Sequence, residues 1–451
     1  MDVIERRSVL ALAMVYLFRM LGLFLIMPVI SVAADGLDGA DAALIGAAIG
    51  IYGFTQASLQ IPMGMLSDKL GRKRVILFGL LLFALGSIIC AHADSIATLI
   101  IGRAVQGAGA IASTLMALLS DVTKEQNRTK AMAMVGISIG ASFMLSLILG
   151  PVLFQWVGLA GLFYLSFAFS IVGMGLIVWA VPNVTEHTFK RDTTPSLAAL
   201  KDVLRNGRLR FLNISVFLLH GSLTALFVAI PSLLIHRYGL TLGQHSILYL
   251  LVMGAAFVLM LPLVIAAEAK GLMKHVLTIV ITIIGLATVA MEWASNVWLF
   301  GVTVCLFFVA FNTLEATLPS VVSKLAPVGY RGTAMGVFST HQFMGAFVGG
   351  AGGGWLLQNT SMTMLFSIIG GIWLLWAVVS AWQPAPKQVT SMAFSVVAHT
   401  EDDVQQLTEE IMAIQGVEDM QIFMDEQTAY LKVDKKQLDK AALQRIVPHV
   451  K

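Results

Sequence analysis

Long apolar stretches follow one another along most of the chain, with short polar breaks between them. A helix needs about 20 apolar residues to cross roughly 30 Å of hydrocarbon. Twelve stretches of about that size lie between residues 8 and 382, so the pattern predicts an all-α polytopic membrane protein with twelve transmembrane helices. The predicted spans are 8–34, 43–66, 74–92, 96–119, 131–156, 160–181, 211–235, 245–267, 274–292, 297–322, 332–357 and 362–382.

The first stretch follows Glu5, Arg6 and Arg7, as the apolar part of a signal peptide would. It is longer than the roughly 7 to 15 apolar residues of a cleavable signal, and it contains Arg19 and Pro28. We therefore interpret it as a transmembrane helix.

Lys and Arg residues fall almost entirely on one side of the predicted membrane, and only Arg237 lies on the other. Because short cytoplasmic loops retain positive charge, this predicts a membrane protein with both termini in the cytoplasm. The basic loops are expected to contact anionic lipid headgroups. The residues on the basic side are Arg6, Arg7, Lys69, Arg72, Lys73, Arg74, Lys124, Arg128, Lys130, Lys190, Arg191, Lys201, Arg205, Arg208, Arg210, Lys270, Lys274, Lys324 and Arg331.

The composition agrees with a protein in lipid. Hydrophobic residues make up 57% of the chain and charged residues 12%, whereas a soluble domain has about 25% charged residues. Cys90 and Cys305 both lie in apolar runs and are interpreted as small buried residues. No phosphate-binding G-x-x-x-x-G-K-[ST] run, metal-ligand cluster or catalytic constellation occurs, so we expect no cofactor, metal, nucleic-acid partner or enzyme activity.

The spans divide into two similar halves. Pro62, Asp68, Gly71 and Arg74 recur 200 positions later as a proline, an acid, a glycine and a base. Two parallel six-helix repeats around a cavity are an architecture of transporters. We predict a first half at 1–181, a cytoplasmic linker at 182–210, a second half at 211–383 and a separate module at 387–451.

Two motifs carry a resemblance to a known family. Residues 64–74 read GMLSDKLGRKR, and residues 99–110 read LIIGRAVQGAGA. They resemble the G-x-L-a-D-r-x-G-r-k and R-x-x-q-G-x-g-a motifs of the major facilitator superfamily. The resemblance covers residues 8–382 and implies a transporter fold of two pseudo-symmetric halves. It also implies a cytoplasmic gate of Gly64, Asp68, Gly71, Arg72, Lys73 and Asp121, and a fourth-helix motif of Arg103, Gln106 and Gly107.

Asp68 is the informative residue of the gate. A carboxylate at a helix C-terminus is disfavoured by the macrodipole, so it needs a nearby cation or the N-terminus of another helix. Arg72 and the helix start near Gly332 are available, and Asp121 can share Arg72. We expect a latch that holds the cytoplasmic side closed, whereas Lys69, Lys73 and Arg74 are also explained by topology alone.

The fifth span matches the family's antiporter motif only in part. Ser146, Gly150 and Pro151 are present, but Phe154 and Gln155 replace the last two glycines. Antiport is therefore favoured, while the Gly-Pro pair is equally explained as a structural bend.

Ionisable residues inside spans are costly and usually face a cavity. Glu315 and His220 are the candidates for proton exchange; the structural alternatives are a salt bridge between Glu315 and Arg19, and a hydrogen bond from His220 to a neighbouring helix. His341 and Gln342 are adjacent and cannot both face the cavity, and Arg103 lies nearer the periplasm as a gate or proton-path candidate. The predicted polar layer contains Arg19, Gln56, His220, Asn312, Glu315, His341 and Gln342, and its apolar wall contains Phe24, Met27, Phe54, Phe143, Phe227, Phe311 and Phe338.

The C-terminal stretch is acidic and patterned differently. Strands are predicted at 391–398, 418–424 and 428–434, with helices at 401–414 and 436–447, in the β-α-β-β-α order of a ferredoxin-like module. A fourth strand has only the stub at 448–451. Since His399 stands where metal-binding relatives of this topology carry a C-x-x-C loop, a metal-chaperone role is rejected and His399 is interpreted as a solvated loop residue.

Together these features predict a proton-coupled secondary transporter that exports small amphipathic organic compounds by alternating access. The alternatives are a proton symporter or facilitator of a nutrient, or a transporter-like sensor that signals through the C-terminal module. A monomeric transport unit is expected.

Overall fold

The computed structural model describes residues 1–182, 197–327, 330–384, 389–396, 400–424, 428–434 and 437–446. Most of them are helical. The helices are α1 Val3–Phe24, α2 Ile30–Ala33, α3 Ala42–Leu70, α4 Arg72–Ala91, α5 Ile96–Ala108, α6 Ala112–Asp121, α7 Glu125–Ala180, α8 Leu197–Arg205, α9 Gly207–His236, α10 Leu242–Glu268, α11 Met273–Glu292, α12 Val297–Leu325, α13 Arg331–Asn359, α14 Met362–Trp382, α15 Glu401–Met412 and α16 Lys440–Ile446.

The helices account for the predicted spans. Among the described residues, ten segments are long and apolar enough to cross a membrane. One of them, within α7, holds two predicted spans that are divided at Gly158, where φ is +65°. The eleventh predicted span is α13, which is 29 residues long but is not among the ten. Its glycines lower its mean hydropathy and let neighbouring helices approach closely.

Two predicted spans contain a break in the helix that the hydropathy pattern does not indicate. The first breaks into α1 and α2 around Pro28, which has no N–H to donate, and the amides of Met27 and Val29 bond three residues back instead. The fourth breaks into α5 and α6 at Gly109, whose ψ of 46° is not helical. The break leaves the Gly109 carbonyl available to a side chain.

The two halves meet in close backbone contacts between α3 and α13. A Cβ built on Gly50 would lie 2.6 Å from the carbonyl oxygen of Phe347, and one on Gly53 would lie 2.5 Å from that of Phe343. Only glycine permits such proximity. We call the end of the bundle near Lys69 and Lys73 the basic end, and the end near Asp41 the opposite end. The glycine contacts lie in the N-terminal half of α3, which is nearer the opposite end.

A short helix precedes the second half. The central connection was predicted as a linker at 182–210, and its last part forms α8, while α9 already begins at Gly207. Val203 of α8 is fully buried, and α8 packs on α9 and α13. The end of the connection is therefore held against the second half.

The C-terminal module has the predicted topology. Strands β1 (Val389–Ser395), β2 (Val417–Phe423) and β3 (Thr428–Asp434) form an antiparallel sheet in the order β1-β3-β2. This is the order of the first three strands in a ferredoxin-like fold. Its core includes Ile411, Leu431 and Leu443. The predicted stub at 448–451, the turn at 425–426 and His399 lie outside the described residues.

The module contacts the membrane bundle through a lysine. Lys432 of β3 is 8% exposed, and its Nζ donates a hydrogen bond to the carbonyl oxygen of Ala326, the residue that follows α12. A cation at a helix C-terminus is favourable because the last carbonyls carry partial negative charge. The contact ties the module to the end of the helix that carries Glu315.

Candidate transport site

Three of the predicted polar residues meet between α9, α12 and α13. His220 Nε2 lies 3.6 Å from Glu315 Oε2, and Gln342 Nε2 lies 2.8 Å from His220 Nε2 and 3.3 Å from Glu315 Oε1. His220 Nδ1 lies 3.4 Å from the carbonyl oxygen of Val216, one turn earlier on α9. We call His220, Glu315 and Gln342 the acidic cluster. His220 and Glu315 can exchange a proton once a small side-chain movement brings them within hydrogen-bond distance, and Gln342 can hydrogen-bond to either of them.

The other predicted residues of the second half stand apart. His341 Nδ1 lies 2.8 Å from the carbonyl oxygen of Val337 on its own helix, while its neighbour Gln342 joins the acidic cluster. The expectation that only one of the adjacent pair faces the cluster agrees with these contacts. Asn312, one turn before Glu315 on α12, is 7% exposed, and its Nδ2 has no hydrogen-bond partner among the described residues.

Arg19 lies in a second cluster, within the first half. Its Nη2 donates to Gln56 Oε1 at 2.8 Å, to the Gly109 carbonyl at 2.8 Å and to the Tyr52 hydroxyl at 3.2 Å. Gln56 in turn donates to Gln60 Oε1 at 3.0 Å. No ion pair joins Arg19 to Glu315, so the structural salt bridge considered for Glu315 is absent from the described residues. We call Arg19, Tyr52 and Gln56 the arginine cluster.

The fourth-helix motif packs α5 against α3 and α4. Arg103 is 1% exposed, and its Nη1 donates to Gln106 Oε1 at 2.8 Å, while Gln106 Nε2 donates to Ser87 Oγ at 2.8 Å. The Arg103 guanidinium also lies 5.1 Å from the centre of the Tyr52 ring. A side chain on Gly107 would collide with the backbone of Tyr52. Tyr52 thus lies between two buried arginines.

The gate motif forms a charged cluster at the basic end. Arg72 pairs with Asp68, its Nε lies 3.3 Å from Asp121 Oδ2, and its Nη1 donates to Ser67 Oγ at 2.7 Å. Arg72 therefore joins the end of α3 to the end of α6, as the sequence predicts for its sharing between the two acids. Gly71 has φ of +95°, which suits the sharp turn between α3 and α4.

The remaining gate residues have local roles. Lys73 Nζ donates to the carbonyl oxygen of Val181 at 2.8 Å, at the C-terminal end of α7. This contact is more specific than the topological role that also explains the charge. Gly64 is buried, and its carbonyl accepts a hydrogen bond from Ser67 Oγ at 2.6 Å.

The second half has a simpler counterpart of this cluster. Lys324, which lies 203 positions after Asp121, pairs with Glu268, which lies 200 positions after Asp68. Lys324 at the end of α12 takes the place of the acid Asp121 in the first half. The ends of α10 and α12 are therefore joined by a direct ion pair. Leu272 stands 200 positions after Arg72, where no bridging arginine is needed.

Gly150 and Pro151, the glycine and proline of the fifth predicted span, lie in α7 at a close approach between helices. A Cβ on Gly150 would lie 2.5 Å from the carbonyl oxygen of Leu25 and 2.8 Å from Cγ of Pro28. Gly150 therefore lets α7 contact the break after α1. Pro151 is accommodated inside α7. These contacts give Gly150 a packing role.

Aromatic rings connect the two halves beside the acidic cluster. The ring centre of Phe143 lies 5.1 Å from that of Phe24 and 6.0 Å from that of Phe311, and Phe311 lies 5.7 Å from the His220 ring. We call Phe24, Phe143 and Phe311 the aromatic bridge. Of the other predicted wall residues, Phe54 is 41% exposed and packs on Phe347, away from this bridge.

Sequence analysis missed two parts of the arginine cluster. Tyr52 lies one turn before Gln56 on α3, and this spacing puts both side chains on one helix face. The Gly109 carbonyl is left free of helical hydrogen bonding by the break between α5 and α6. No single residue predicts this break, although two glycines two positions apart, Gly107 and Gly109, are a sequence signal for it.

Comparisons with known proteins agree with this architecture. The family model of the Major Facilitator Superfamily matches residues 12–269 and 212–396. The chain is 40% identical over 447 residues to the "Inner membrane transport protein YajR" of Escherichia coli, covering 98% of this chain and 97% of that one. It is 26% identical to the "Multidrug resistance protein MdtH" of Aeromonas salmonicida, over 82% of this chain and 90% of that one.

A solved structure shows the same fold. The nucleoside transporter NupG is similar with a TM-score of 0.65 and 16% identity, over 84% of this chain and 98% of that one. The family match and the 40% identity over nearly the whole chain establish the assignment. This chain is therefore a multi-pass membrane transporter that belongs to the major facilitator superfamily.

Proposed function

We propose that this protein is a proton-coupled transporter that exports small amphipathic organic compounds by alternating access. The observation that carries the proposal is the acidic cluster, in which three helices of the second half bring His220, Glu315 and Gln342 together. Ionisable groups within membrane spans are expensive and are usually kept for function. Similarity to a multidrug resistance protein supports export over uptake.

The acidic cluster suits a single exchangeable proton. When Glu315 is ionised, Gln342 donates a hydrogen bond to it, and a proton on His220 would complete a charged pair at 3.6 Å. When Glu315 is protonated, its attraction for His220 and Gln342 falls. Since the three residues lie on α9, α12 and α13, proton binding changes the forces between these helices. Proton occupancy can thereby bias the direction in which the cavity opens.

The remaining features support a rocking motion of two halves. The Asp68–Arg72–Asp121 cluster is proposed as the latch of the cytoplasmic side, with Lys324 and Glu268 as its counterpart in the second half. The aromatic bridge joins the halves beside the acidic cluster and offers flat apolar surface to a bound compound. We propose both termini and the basic loops on the cytoplasmic side of the inner membrane, against anionic lipid.

The proposal is tested by flux in proteoliposomes with an acidic lumen. Two fluorescent probes of opposite charge, ethidium and carboxyfluorescein, test transport without assuming the sign of the substrate. A gradient of one pH unit is worth about 1.4 kcal/mol. Without a membrane potential, exchange of one proton for one probe molecule therefore allows about tenfold accumulation of the probe. We expect Glu315→Gln to abolish this accumulation, while binding of the probe and counterflow without a gradient remain.

Glu292→Gln is the matched control, because Glu292 lies at the end of α11 and accepts a hydrogen bond from Thr363. It should transport as the wild type does. Undiminished accumulation by Glu315→Gln would remove Glu315 from the mechanism. Accumulation that needs an acidic exterior instead would indicate the symporter, and binding of the probes without any flux would indicate the sensor.

A further inference from the structure

Arg19 has more hydrogen-bond donors than the protein satisfies. A guanidinium carries five N–H donors, and here only those of Nη2 have partners. Nε and Nη1 are buried without a hydrogen-bond partner among the described residues, and the whole residue is 3% exposed. Buried donors are normally paired, so these unpaired donors need an explanation.

The arginine cluster also lacks a counter-charge. Neither Arg19 nor Arg103 has a carboxylate oxygen within 4.0 Å among the described residues, although both lie deep in the bundle beside Tyr52. An unpaired buried charge is strongly unfavourable. The carboxylate of Glu315 is engaged by His220 in the other half. The first half therefore presents a cationic site, whereas the second presents an acidic one.

The position of the Arg19 side chain is set by three acceptors. The Tyr52 hydroxyl, the Gln56 amide oxygen and the Gly109 carbonyl all hold Nη2. None of them carries a charge, so they orient the guanidinium without neutralising it. A guanidinium held in this way keeps its positive charge and the donors of Nε and Nη1 for an incoming anion.

We infer that Arg19 binds the anionic group of the transported compound, and that this compound is an aromatic carboxylate. The carboxylate accepts one charge-assisted hydrogen bond, from Nε or from Nη1, which lie on opposite edges of the guanidinium and cannot both reach a single carboxylate. The apolar part of the compound is assigned to the aromatic bridge, whose Phe24 lies five residues after Arg19 on α1, about 7.5 Å along the helix axis and about 140° around it. The inference rests on the proposed function, since it assigns the class of compound that the proposed transporter carries.

Binding measurements on the purified full-length protein test this without requiring transport. The probes are 2-naphthoate, its neutral amide 2-naphthamide, and the cation 2-naphthylmethylammonium, which share one ring system and differ in charge. We expect isothermal titration calorimetry to show naphthoate binding at least about tenfold tighter than either of the others, since charge-assisted hydrogen bonds are roughly twice as strong as neutral ones.

Arg19→Gln should reduce naphthoate binding to the level of the amide, and Arg19→Lys should retain part of it because the charge remains. Arg237→Gln is the control, since Arg237 lies exposed at the opposite end and donates to the Glu292 carbonyl. A melting curve verifies that each variant is folded. If Arg19→Gln does not fold, the selectivity among the three probes still decides the question.

Equal binding of naphthoate and naphthamide, or unchanged naphthoate binding by a folded Arg19→Gln, would overturn the inference. Failure of naphthoate to bind would also overturn it and would leave ordered water as the partner of Nε and Nη1. The result is separable from the proposed function. Ethidium flux without naphthoate binding refutes only the substrate class, and naphthoate binding without any flux refutes only transport.

Discussion

Closure at the opposite end depends on glycine contacts between α3 and α13, and Gly50→Ala tests this directly. The new Cβ would lie 2.6 Å from the Phe347 carbonyl oxygen and 3.1 Å from its Cα. A carbon and a carbonyl oxygen ordinarily approach no closer than about 3.3 Å, so the helices must separate by roughly 0.7 Å. Overpacking of this kind costs about 1–3 kcal/mol, and only in the closed state.

That cost lowers the ratio of closed to open molecules by about 5- to 150-fold. The assay is disulfide crosslinking of Asp41→Cys with Gln358→Cys in a background where Cys90 and Cys305 are alanine. In the wild-type structure Gln358 Nε2 lies 3.4 Å from Asp41 Oδ2, so the pair reports closure of this end. We expect the crosslinked fraction at a fixed early time to fall in Gly50→Ala.

The control is Gly352→Ala on α13, where a Cβ would meet nothing within 4 Å. It should crosslink at the wild-type rate. The reasoning is refuted if Gly50→Ala, shown by melting to be folded, crosslinks as fast as the wild type and the control. Loss of folding in Gly50→Ala alone would show that the contact stabilises the whole bundle and not one state of it.

Two further predictions concern the ends of the bundle. Lys432→Ala removes the hydrogen bond to Ala326, which is worth about 1.5–3 kcal/mol for a charged donor. Amide hydrogen exchange should therefore become faster in β3 and in the last turn of α12. The control is Lys440→Ala at an exposed position, and equal exchange in the two variants would contradict the docking. The Glu5 amide and Lys124 lower the pKa of Asp2 below its usual 3.8, so its stabilising contribution is present above that pH and is lost as the pH falls through the lowered pKa. The melting temperature of the wild type should exceed that of Asp2→Asn near about pH 6, and the difference should disappear as the pH falls below 3.8 and through the lowered pKa, whereas a constant difference would refute this.

Much of the fold followed from local patterns. Residues 297–322 read as an uninterrupted apolar stretch and form one helix, because a chain in lipid must satisfy its backbone internally. The C-terminal strand predicted at 428–434 has these bounds in the structure, because its alternating side chains suit a half-buried sheet. The span around Pro28 was predicted too simply, since hydropathy does not register a missing N–H.

The candidate site was predictable only in its membership. Glu315, His220 and Gln342 are conspicuous because polar residues are rare inside apolar spans, so the sequence alone identified them. It did not indicate that Arg19 would hydrogen-bond to Tyr52 and Gln56 instead of pairing with Glu315. Pairing between side chains on different helices depends on helix rotation and packing, which hydropathy does not encode.

The amino-acid sequence by itself thus determined the number of apolar segments, the duplicated plan, the charge asymmetry and the order of elements in the C-terminal module. These are local properties, set by the cost of placing backbone and charge in lipid. Only the tertiary structure decided that the polar layer divides into an acidic cluster and an arginine cluster. That division depends on the broken helix at Gly109 and on the glycine contacts that set how closely α3 and α13 approach, and both arise from packing between segments far apart in the chain.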